Sequence, residues 1–378
     1  MEYACLKDVC SIIMGQSPES SSYNEDGEGV PFFQGNADFG EVYPCVRVWS
    51  NEPKKMASTN DILISVRAPI GALNYAKEDC CIGRGLAAIT PSSRVNLKYI
   101  YYLLRAKNSE LNSKGTGSTF KAIGKSVLEE TLVPMLSIGE QVKIVSKIES
   151  AEGIIRKRRE QLLELDNLIK SRFVEMFGTL KDNNGRFDIV TIEEVCSLIK
   201  DGTHQTPEYT EDVVNGFKFL SSKDVMSQKI DWTDIRYIPV ELHEKLYSTI
   251  QPKRNDILMS KNGVNYGVAA VNDTDEVFDI YVSLALLRPM EVINPVYFRC
   301  AINNPDTKRQ FDSSIKGIGV PNLHLGEIKK TKIILPPLSM QNEFENFVIQ
   351  VDKLKFEVQK SLDETQTLMD SLMQQYFG

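Results

Sequence analysis

Two long stretches of the chain carry apolar residues at intervals of three and four, the spacing of one face of an α-helix. They span about residues 138–177 and about residues 340–376, and neither contains a proline. Helices of this length, roughly 50 Å at 1.5 Å per residue, need a partner along the whole apolar stripe. The stripe positions are Ile144, Ile148, Ile155, Leu162, Leu165 and Ile169 in the first helix, and Phe344, Phe347, Val351, Leu354, Val358, Leu368 and Leu372 in the second.

A mixed segment of short apolar runs precedes each of these helices. The runs are DILISV and LAAIT in the first segment, and DILMS and VSLALLRP in the second, and clusters of Gly, Pro, Asn and Asp separate them. Such runs predict short strands joined by tight turns, with a few helices such as 97–107 between them. Each half of the chain is therefore predicted to hold one mixed α/β domain followed by one long helix.

The two halves repeat one plan. Four pairs of similar strings recur at offsets of 186, 195, 202 and 200 residues, and such a drift is what insertions and deletions in loops produce. The halves are residues 1–178 and 179–378. The pairs are LKDVCSIIMGQ with IEEVCSLIKDG, NDILIS with NDILMS, LVPMLS with ILPPLS, and FVEMFG with MQQYFG.

The repeat also suggests what covers each helical stripe. The equivalent helix of the other half is the simplest partner, because both helices carry the same stripe. The alternative is that each helix packs only on its own domain. We predict an α+β fold in which two mixed α/β domains are separated by two long helices packed as an antiparallel coiled coil. The predicted boundaries are 1–137 and 179–338 for the domains, and 138–178 and 339–378 for the helices.

Charge and cysteine content limit the class of protein. The 378 residues include 44 Lys and Arg and 51 Asp and Glu, a net charge of −7 that argues against coating nucleic acid through bulk charge. Basic and acidic side chains are equal in number in residues 1–178, so the negative surplus lies in 179–378. Seven cysteines without a C-x-x-C pair, and three histidines without an H-E-x-x-H frame, predict a cytoplasmic protein without a metal site.

The motifs of the two halves resemble those of the specificity subunit of type I restriction-modification enzymes, usually called HsdS. The resemblance covers essentially the whole chain, including both helices and their order. The strings that carry it are VCSIIMGQSP and FFQGNADFG in the first half, and VCSLIKDGTHQTPEY, KGIGVPNLHLGEIKK and ILPPLSMQNEFE in the second.

The resemblance implies a protein that selects a DNA sequence. Each domain would be a target recognition domain that reads one half of a bipartite, asymmetric site in double-stranded DNA. The helices would set the spacer and dock two methyltransferase subunits, and restriction/translocase subunits could join the complex. S-adenosylmethionine, ATP and Mg²⁺ would serve those partners, for adenine methylation or restriction, and not this chain.

The residues themselves also favour a chain that is not an enzyme. No N-P-P-[FY] adenine-methylation motif is present, and Thr119 stands where the first glycine of a P-loop is needed before Gly124-Lys125-Ser126. The alternative function from another class is a non-enzymatic coiled-coil scaffold that bridges two protein partners. Exchange of residues 1–137 for another domain separates the two, because only a specificity subunit would then change half of a methylation motif.

Base readout needs Arg or Lys for guanine, Asn or Gln for adenine, and Ser or Thr for either, on loops held by a rigid scaffold. A single Lys or Arg in such a loop is more often a solvated surface charge than a base contact. Alignment of NDILIS with NDILMS places Arg67 at the level of Asn262, so both halves carry a donor after the same strand. The candidates in the first half are Gln34, Asn36, Arg67, Arg84, Lys114 and Lys121, and those in the second are His204, Ser222, Lys223, Lys261, Asn262, Asn265, Lys316 and Asn322.

Overall fold

Two compact units make up the fold, and each contains one mixed α/β domain together with a part of each long helix. The first unit comprises residues 1–160 and 359–378, and the second comprises residues 161–358. This arrangement has the predicted α+β class, with two domains of the same plan and two long helices. The computed structural model describes residues 2–117, 121–315 and 321–378.

The first domain is built around two sheets. Its strands are β1 (Glu2–Cys5), β2 (Cys10–Met14), β3 (Tyr23–Asn24), β4 (Val30–Phe33), β5 (Trp49–Ser50), β6 (Met56–Ala57), β7 (Ile62–Ser65), β8 (Leu73–Tyr75), β9 (Cys80–Ile82), β10 (Leu86–Pro91) and β11 (Leu132–Met135). Its helices are α1 (Leu6–Val9), α2 (Leu97–Ala106), α3 (Asn108–Ser113) and α4 (Lys125–Glu129). One sheet has the antiparallel order β2-β10-β7-β8, and the other has the order β3-β5-β4-β9-β6 with β4 and β9 parallel.

The second domain repeats this plan with fewer strands. After the long helix α5 (Ile138–Phe177) come β12 (Asp188–Thr191), β13 (Cys196–Asp201), β14 (Phe217–Leu220), β15 (Arg236–Ile238), β16 (Ile257–Ser260), β17 (Ala269–Val271), β18 (Phe278–Ile280), β19 (Leu284–Pro289) and β20 (Lys332–Leu335). The helices are α6 (Val240–Tyr247), α7 (Pro295–Ile302), α8 (Pro305–Ser314), α9 (Leu325–Lys330) and the long α10 (Leu338–Phe377). The order β13-β19-β16-β17 matches β2-β10-β7-β8, and the parallel pair β14 and β18 matches β4 and β9.

The central strand of each domain is buried on both faces, which explains its continuous apolar run. Ile62 and Ile64 of β7 join the core beneath the helices, whereas Leu63 joins the core between the two sheets. Each run follows an asparagine at φ 71°, Asn60 or Asn255, because asparagine tolerates the left-handed conformation that this turn requires. The identical NDIL strings therefore specify the same turn and strand twice.

A two-stranded sheet closes each domain and corrects the alignment of the two halves. Glu2 of β1 lies opposite Met135 of β11, and Asp188 of β12 lies opposite Leu335 of β20. Met135 is thus equivalent to Leu335, at an offset of 200. The match of LVPMLS to ILPPLS at an offset of 202 was therefore wrong by two residues, because a local string can agree out of register.

A buried glutamine joins the start of each long helix to its domain. The side chain of Gln141 accepts a hydrogen bond from the backbone N of Asn96 (2.7 Å) and donates one to the carbonyl of Leu136 (2.9 Å). Gln341 makes the equivalent bonds to Asn294 (2.8 Å) and to the carbonyl at position 336 (2.8 Å). Because a buried amide must keep its partners, these bonds hold each helix at a fixed angle to its domain.

The two long helices pack against each other, antiparallel, within each unit. In the first unit the amino-terminal part of α5 meets the carboxyl end of α10, where Lys147 Nζ donates to the Tyr376 hydroxyl (3.2 Å). In the second unit the carboxyl part of α5 meets the start of α10, where Phe173 and Phe177 lie 5.5 Å from Phe344 between ring centres. The antiparallel pairing agrees with the prediction from the two apolar stripes.

The apolar stripe of α10 differs from the prediction at two positions. Leu354 and Leu368 are 56% and 54% exposed, so they do not belong to the seam. The buried positions alternate by four and then three from Phe344, whereas the prediction alternated by three and then four. Lys355 occupies one inward-facing position and forms an ion pair with Asp166 there. The stripe of α10 is therefore interrupted by a charged residue, which a search for apolar positions leaves out. The other predicted stripe residues are buried or half-buried.

Candidate nucleic-acid interface

Backbone hydrogen bonds bring five segments of the first domain together at the end of its antiparallel sheet. We call this the first loop cluster: residues 15–17, 33–36, 65–68, 83–85 and 121–123. Four of the segments follow or precede a strand, and residues 121–123, which precede α4, are bonded to the segment after β7, so the sheet positions all five. The bonds run from Gln16 N to Ile82 O (2.9 Å), Gly83 N to Phe33 O (2.8 Å), Val66 N to Gly85 O (2.9 Å), Ala68 N to Lys121 O (3.0 Å) and Ile123 N to Val66 O (2.9 Å).

The second domain repeats these bonds with different residues. The second loop cluster comprises residues 202–204, 220–223, 260–263, 281–283 and 321–323. Each bond has the geometry of its counterpart in the first cluster, so the two clusters share one backbone scaffold. The bonds run from Thr203 N to Ile280 O (3.0 Å), Tyr281 N to Leu220 O (2.8 Å), Lys261 N to Ser283 O (2.9 Å), Gly263 N to Pro321 O (3.0 Å) and Leu323 N to Lys261 O (2.9 Å).

A glycine opens each cluster because the chain passes too close to another segment for a side chain. A Cβ on Gly15 would lie 2.1 Å from the carbonyl oxygen of Gly83, and one on Gly202 would lie 2.2 Å from that of Ile280. Real Cβ atoms do not approach backbone that closely, so glycine is required at both positions. This pair was not among the candidates predicted from the sequence.

Four of the six candidates in the first half lie in the first loop cluster with exposed side chains. These are Gln34, Arg67, Arg84 and Lys121. None of the three cations among them has a carboxylate partner in the part of the chain that the structure describes. The first cluster thus presents free positive charge beside an amide.

The remaining two candidates of the first half have more restricted positions. Asn36 is half-buried at the start of a short helical turn. The carboxylate of Asp38 accepts hydrogen bonds from the backbone N of Gln34 (2.7 Å) and of Gly35 (3.3 Å), which holds this loop. Lys114 lies outside the loop cluster and pairs with Glu110 at 2.7 Å.

In the second half, the structure corrects the expectation that Lys261 could reach DNA. Lys261 is only 4% exposed and forms an ion pair with Asp201 beneath the second loop cluster. Its counterpart in the first half, by the shared hydrogen bonds, is the apolar Val66. Lys223 is also engaged, since its ammonium lies 2.7 Å from the carboxylate of Asp234 and 3.5 Å from that of Asp224.

Three further candidates of the second half are exposed, and two are half-buried. Asn265 and Asn322 are exposed, and His204 is exposed with its Nε2 3.5 Å from Asp201. Asn262 is half-buried, and its Oδ1 is buried without a hydrogen-bond partner among the described residues. Ser222, also half-buried, donates its backbone N to the hydroxyl of Ser283 at 2.9 Å. Lys316 lies outside the described residues.

The equivalence of the two clusters gives each position a counterpart. Arg67 and Asn262 occupy the same backbone position, as do Gln16 and Thr203. The exposed Gln16 was missed in the sequence, although the Gly that precedes it in both halves could have indicated its place. The first cluster is cationic and the second is mainly amide and hydroxyl, so the two differ in chemistry at equivalent points.

A buried histidine and aspartate support the strand that leads into the second cluster. His243 Nδ1 lies 2.7 Å from a carboxylate oxygen of Asp279 in β18, and the His243 ring stacks on Phe217 with 3.5 Å between ring centres. Burial raises the pKa of Asp279, and the hydrogen bond to His243 opposes that rise. The pair sits behind the loops and has no counterpart in the equivalent strand of the first domain, where position 81 is a buried cysteine.

The part of the chain that the structure describes contains neither a candidate metal centre nor a helix suited to span a membrane. Within residues 2–117, 121–315 and 321–378, no group of three His, Cys, Asp or Glu side chains could hold a metal ion. None of the described helices is long and apolar enough to cross a membrane. The exposed surfaces of the two loop clusters are the best candidates for a functional site, because one backbone scaffold presents different side chains in the two domains.

Comparison with known proteins identifies the family. The putative type I restriction enzyme MjaX specificity subunit of Methanocaldococcus jannaschii is 44% identical over 155 residues, which are 40% of this chain and 36% of that protein. The EcoBI specificity subunit of Escherichia coli is 20% identical over 98% of this chain and 84% of its own length.

The fold agrees with a solved structure over the full chain. The S subunit of a type I restriction-modification system from M. genitalium matches 100% of this chain and 96% of its own, with a TM-score of 0.55 and 16% identity. The family model for the type I restriction modification DNA specificity domain matches residues 1–165 and again residues 184–365. The chain therefore belongs to the family of type I restriction modification DNA specificity domains.

Proposed function

We propose that this chain is the DNA sequence-specificity subunit of a type I restriction-modification system. Each domain reads one half of a bipartite site in double-stranded DNA, and the loop clusters are the reading surfaces. One observation carries the proposal: the same five segments are held by the same hydrogen bonds in both domains, yet present different side chains. A shared scaffold with exchanged side chains suits two half-sites of different sequence.

The chemistry of equivalent positions supports an asymmetric site. An arginine is suited to the O6 and N7 acceptors of guanine, whereas an asparagine is suited to N6 and N7 of adenine. Arg67 and Asn262 occupy equivalent positions of the shared scaffold. The difference at this one position would therefore favour different bases in the two half-sites. The free cations Arg84 and Lys121 can also contact phosphate, which makes the first domain the more salt-dependent reader.

The chemistry on the bound DNA belongs to partner subunits in this proposal. Two methyltransferase subunits with S-adenosylmethionine would modify an adenine, and restriction/translocase subunits would use ATP and Mg²⁺. The net charge of −7 supports a role for partner subunits in DNA binding, because a chain this acidic gains little affinity for DNA from bulk charge. Partners would then supply much of the contact to the DNA backbone.

Methylome sequencing tests the proposal directly. The chain is expressed with its methyltransferase partner in a host that lacks other adenine methylation, and host DNA is sequenced for modified bases. We expect one split, asymmetric motif. Exchange of residues 1–137 for the domain of another family member should change one half of the motif only. Absence of any split motif, or a change in both halves, would contradict the proposal.

A further inference from the structure

A cavity of about 240 Å³ lies in the second unit and is lined by no residue of the second loop cluster. The walls come from α5, α10, the end of α7 and the loop of residues 226–229, and all lining residues fall within 161–358. At this volume the cavity is smaller than the roughly 300–1,000 Å³ typical of sites for drug-sized ligands. It can therefore hold only a small group.

A buried guanidinium that forms no ion pair with any described residue is part of the wall. Arg299 is 8% exposed, and its hydrogen bonds go to the carbonyl of Gln228 (3.3 Å) and to the sulfur of Cys300 (3.6 Å). Its Nε has no partner among the described residues. Burial lowers the pKa of this guanidinium, whereas Cys300 and the more distant Asp352 and Asp166 raise it, and neither carboxylate lies within ion-pair distance of it. A desolvated cation without an ion pair costs free energy unless an anion binds beside it.

The charges around the cavity leave two cations in excess. Lys355 pairs with Asp166, and Lys229 lies 3.4 Å from Asp352. The two carboxylates of the cavity are thus matched by two lysines. Arg299 remains, together with Lys170, which forms no ion pair within the described parts of the chain.

The repeat supplies an internal comparison. The Tyr99 and Tyr297 hydroxyls donate to equivalent carbonyls, so the counterpart of Arg299 is Tyr101, which stacks on Tyr75 with 4.7 Å between ring centres. At the helix offset of 200, Lys170 corresponds to Asp370 and Lys355 to Ile155. The first unit therefore replaces three of these four cations with an aromatic, an acidic and an apolar side chain.

We propose that this cavity binds a phosphate-class dianion, either free or as the terminal group of a larger ligand. Two uncompensated cations match the charge of a dianion, and a guanidinium suits oxygen acceptors arranged around one centre. The site is separate from base reading and does not depend on the proposed function. A bound dianion would stabilise the second unit and hold α5, α7 and α10 together.

Thermal unfolding of the full chain tests this proposal. Inorganic phosphate is titrated at constant ionic strength, with acetate as a carboxylate monoanion for comparison and methyl phosphate as a phosphomonoester. Above the Kd, each tenfold rise in phosphate should raise the Tm of the second unit by roughly 3–6 °C. Methyl phosphate as effective as inorganic phosphate would assign the site to a terminal phosphate group, and a weaker effect would assign it to the free ion.

Matched variants locate the effect. Arg299→Met should abolish the phosphate-dependent shift, and Lys170→Gln, on an exposed part of α5, should weaken phosphate binding about two- to fivefold. Lys353→Gln removes the same charge from the exposed side of α10 and should leave binding unchanged. No Tm shift with phosphate, an equal shift with acetate, or an unchanged shift in Lys170→Gln would overturn the proposal, even if Arg299→Met failed to fold.

Discussion

The ion pair of Asp201 and Lys261 allows a direct test of whether the second domain would accept the apolar pair found at the equivalent positions of the first domain. In the first half the equivalent positions hold Met14 and Val66, and both side chains pack in the apolar core of that domain. The sheet position is the same, since Met14 lies opposite Ala87 and Asp201 lies opposite Ala285. One fold therefore accepts an apolar pair in one domain and an ion pair in the other.

The expected energies follow from burial. Lys261→Val alone would leave the Asp201 carboxylate with only the exposed His204, 3.5 Å away, and removal of one member of a buried pair costs about 3–5 kcal/mol. The Asp201 side chain keeps 18% exposure, so water screens it in part and the lower end, about 3 kcal/mol, applies. The double variant Asp201→Met/Lys261→Val restores the apolar pair of the first domain and should be within about 1 kcal/mol of the native chain or more stable.

One tryptophan in each unit makes the assay specific. Trp49 lies in the first domain and Trp232 in the second, where its ring lies 5.6 Å from that of Phe278. In a Trp49→Phe background, fluorescence during urea denaturation reports the second unit alone. The free energy of unfolding is then compared for the native pair, both single variants and the double variant, as a double-mutant cycle.

The reasoning would be refuted by either of two results. The free energy of unfolding of Lys261→Val could lie within about 0.5 kcal/mol of that of the native chain. That result would mean that the ion pair is effectively solvated. The double variant could be as unstable as the single one, which would mean that the second domain cannot accept the packing of the first. Lys253→Val serves as a control, because Lys253 is exposed and forms no ion pair in the described residues.

Three further predictions concern the helices, the reading surface and acid stability. Phe377→Ala empties a fully buried site at the end of α10 and should cost about 3–5 kcal/mol in chemical denaturation, whereas Phe356→Ala, on an exposed face, should change stability by less than about 0.5 kcal/mol. Arg67→Ala should alter or relax one base of one half-motif in methylome sequencing, while Lys114→Ala should leave the motif intact. Hydrogen bonds from the backbone N and the hydroxyl of Thr191 lower the pKa of Glu194. That stabilisation is present above the usual pKa of a glutamate and is lost when the pH falls below it. The difference in urea midpoint between the native chain and Glu194→Gln should therefore shrink from pH 6 to pH 3. A difference that stays constant with pH would contradict this cause.

The elements themselves were accessible from local pattern. Continuous apolar runs flanked by turn residues predicted the central strands, and a helical period without proline predicted α5 and α10. The seam of α10 was misplaced at Leu354 and Leu368. An apolar pattern leaves out Lys355, although this lysine faces inward. Only the presence of Asp166 across the helix pair makes that position compatible with a seam.

The candidate site was predicted at the level of loops and not of side chains. The loops that carry Gln34, Arg67 and Arg84 in the first half do converge, as expected for residues that end strands of one domain. Whether a lysine in such a loop is free depends on a carboxylate that can be tens of residues away. Lys261 pairs with Asp201, and such pairings leave no local signal.

The sequence by itself determined the repeat, the fold class, the two long helices and the family, because each of these is written in local strings and periods. The tertiary structure alone decided which cations are free, how the halves align residue by residue, and that Arg299 is buried without an ion pair among the described residues. The physical reason is that charge pairing and burial depend on distances in space between residues far apart in the chain. Identical backbone scaffolds can therefore carry a cationic surface in one domain and a neutral one in the other.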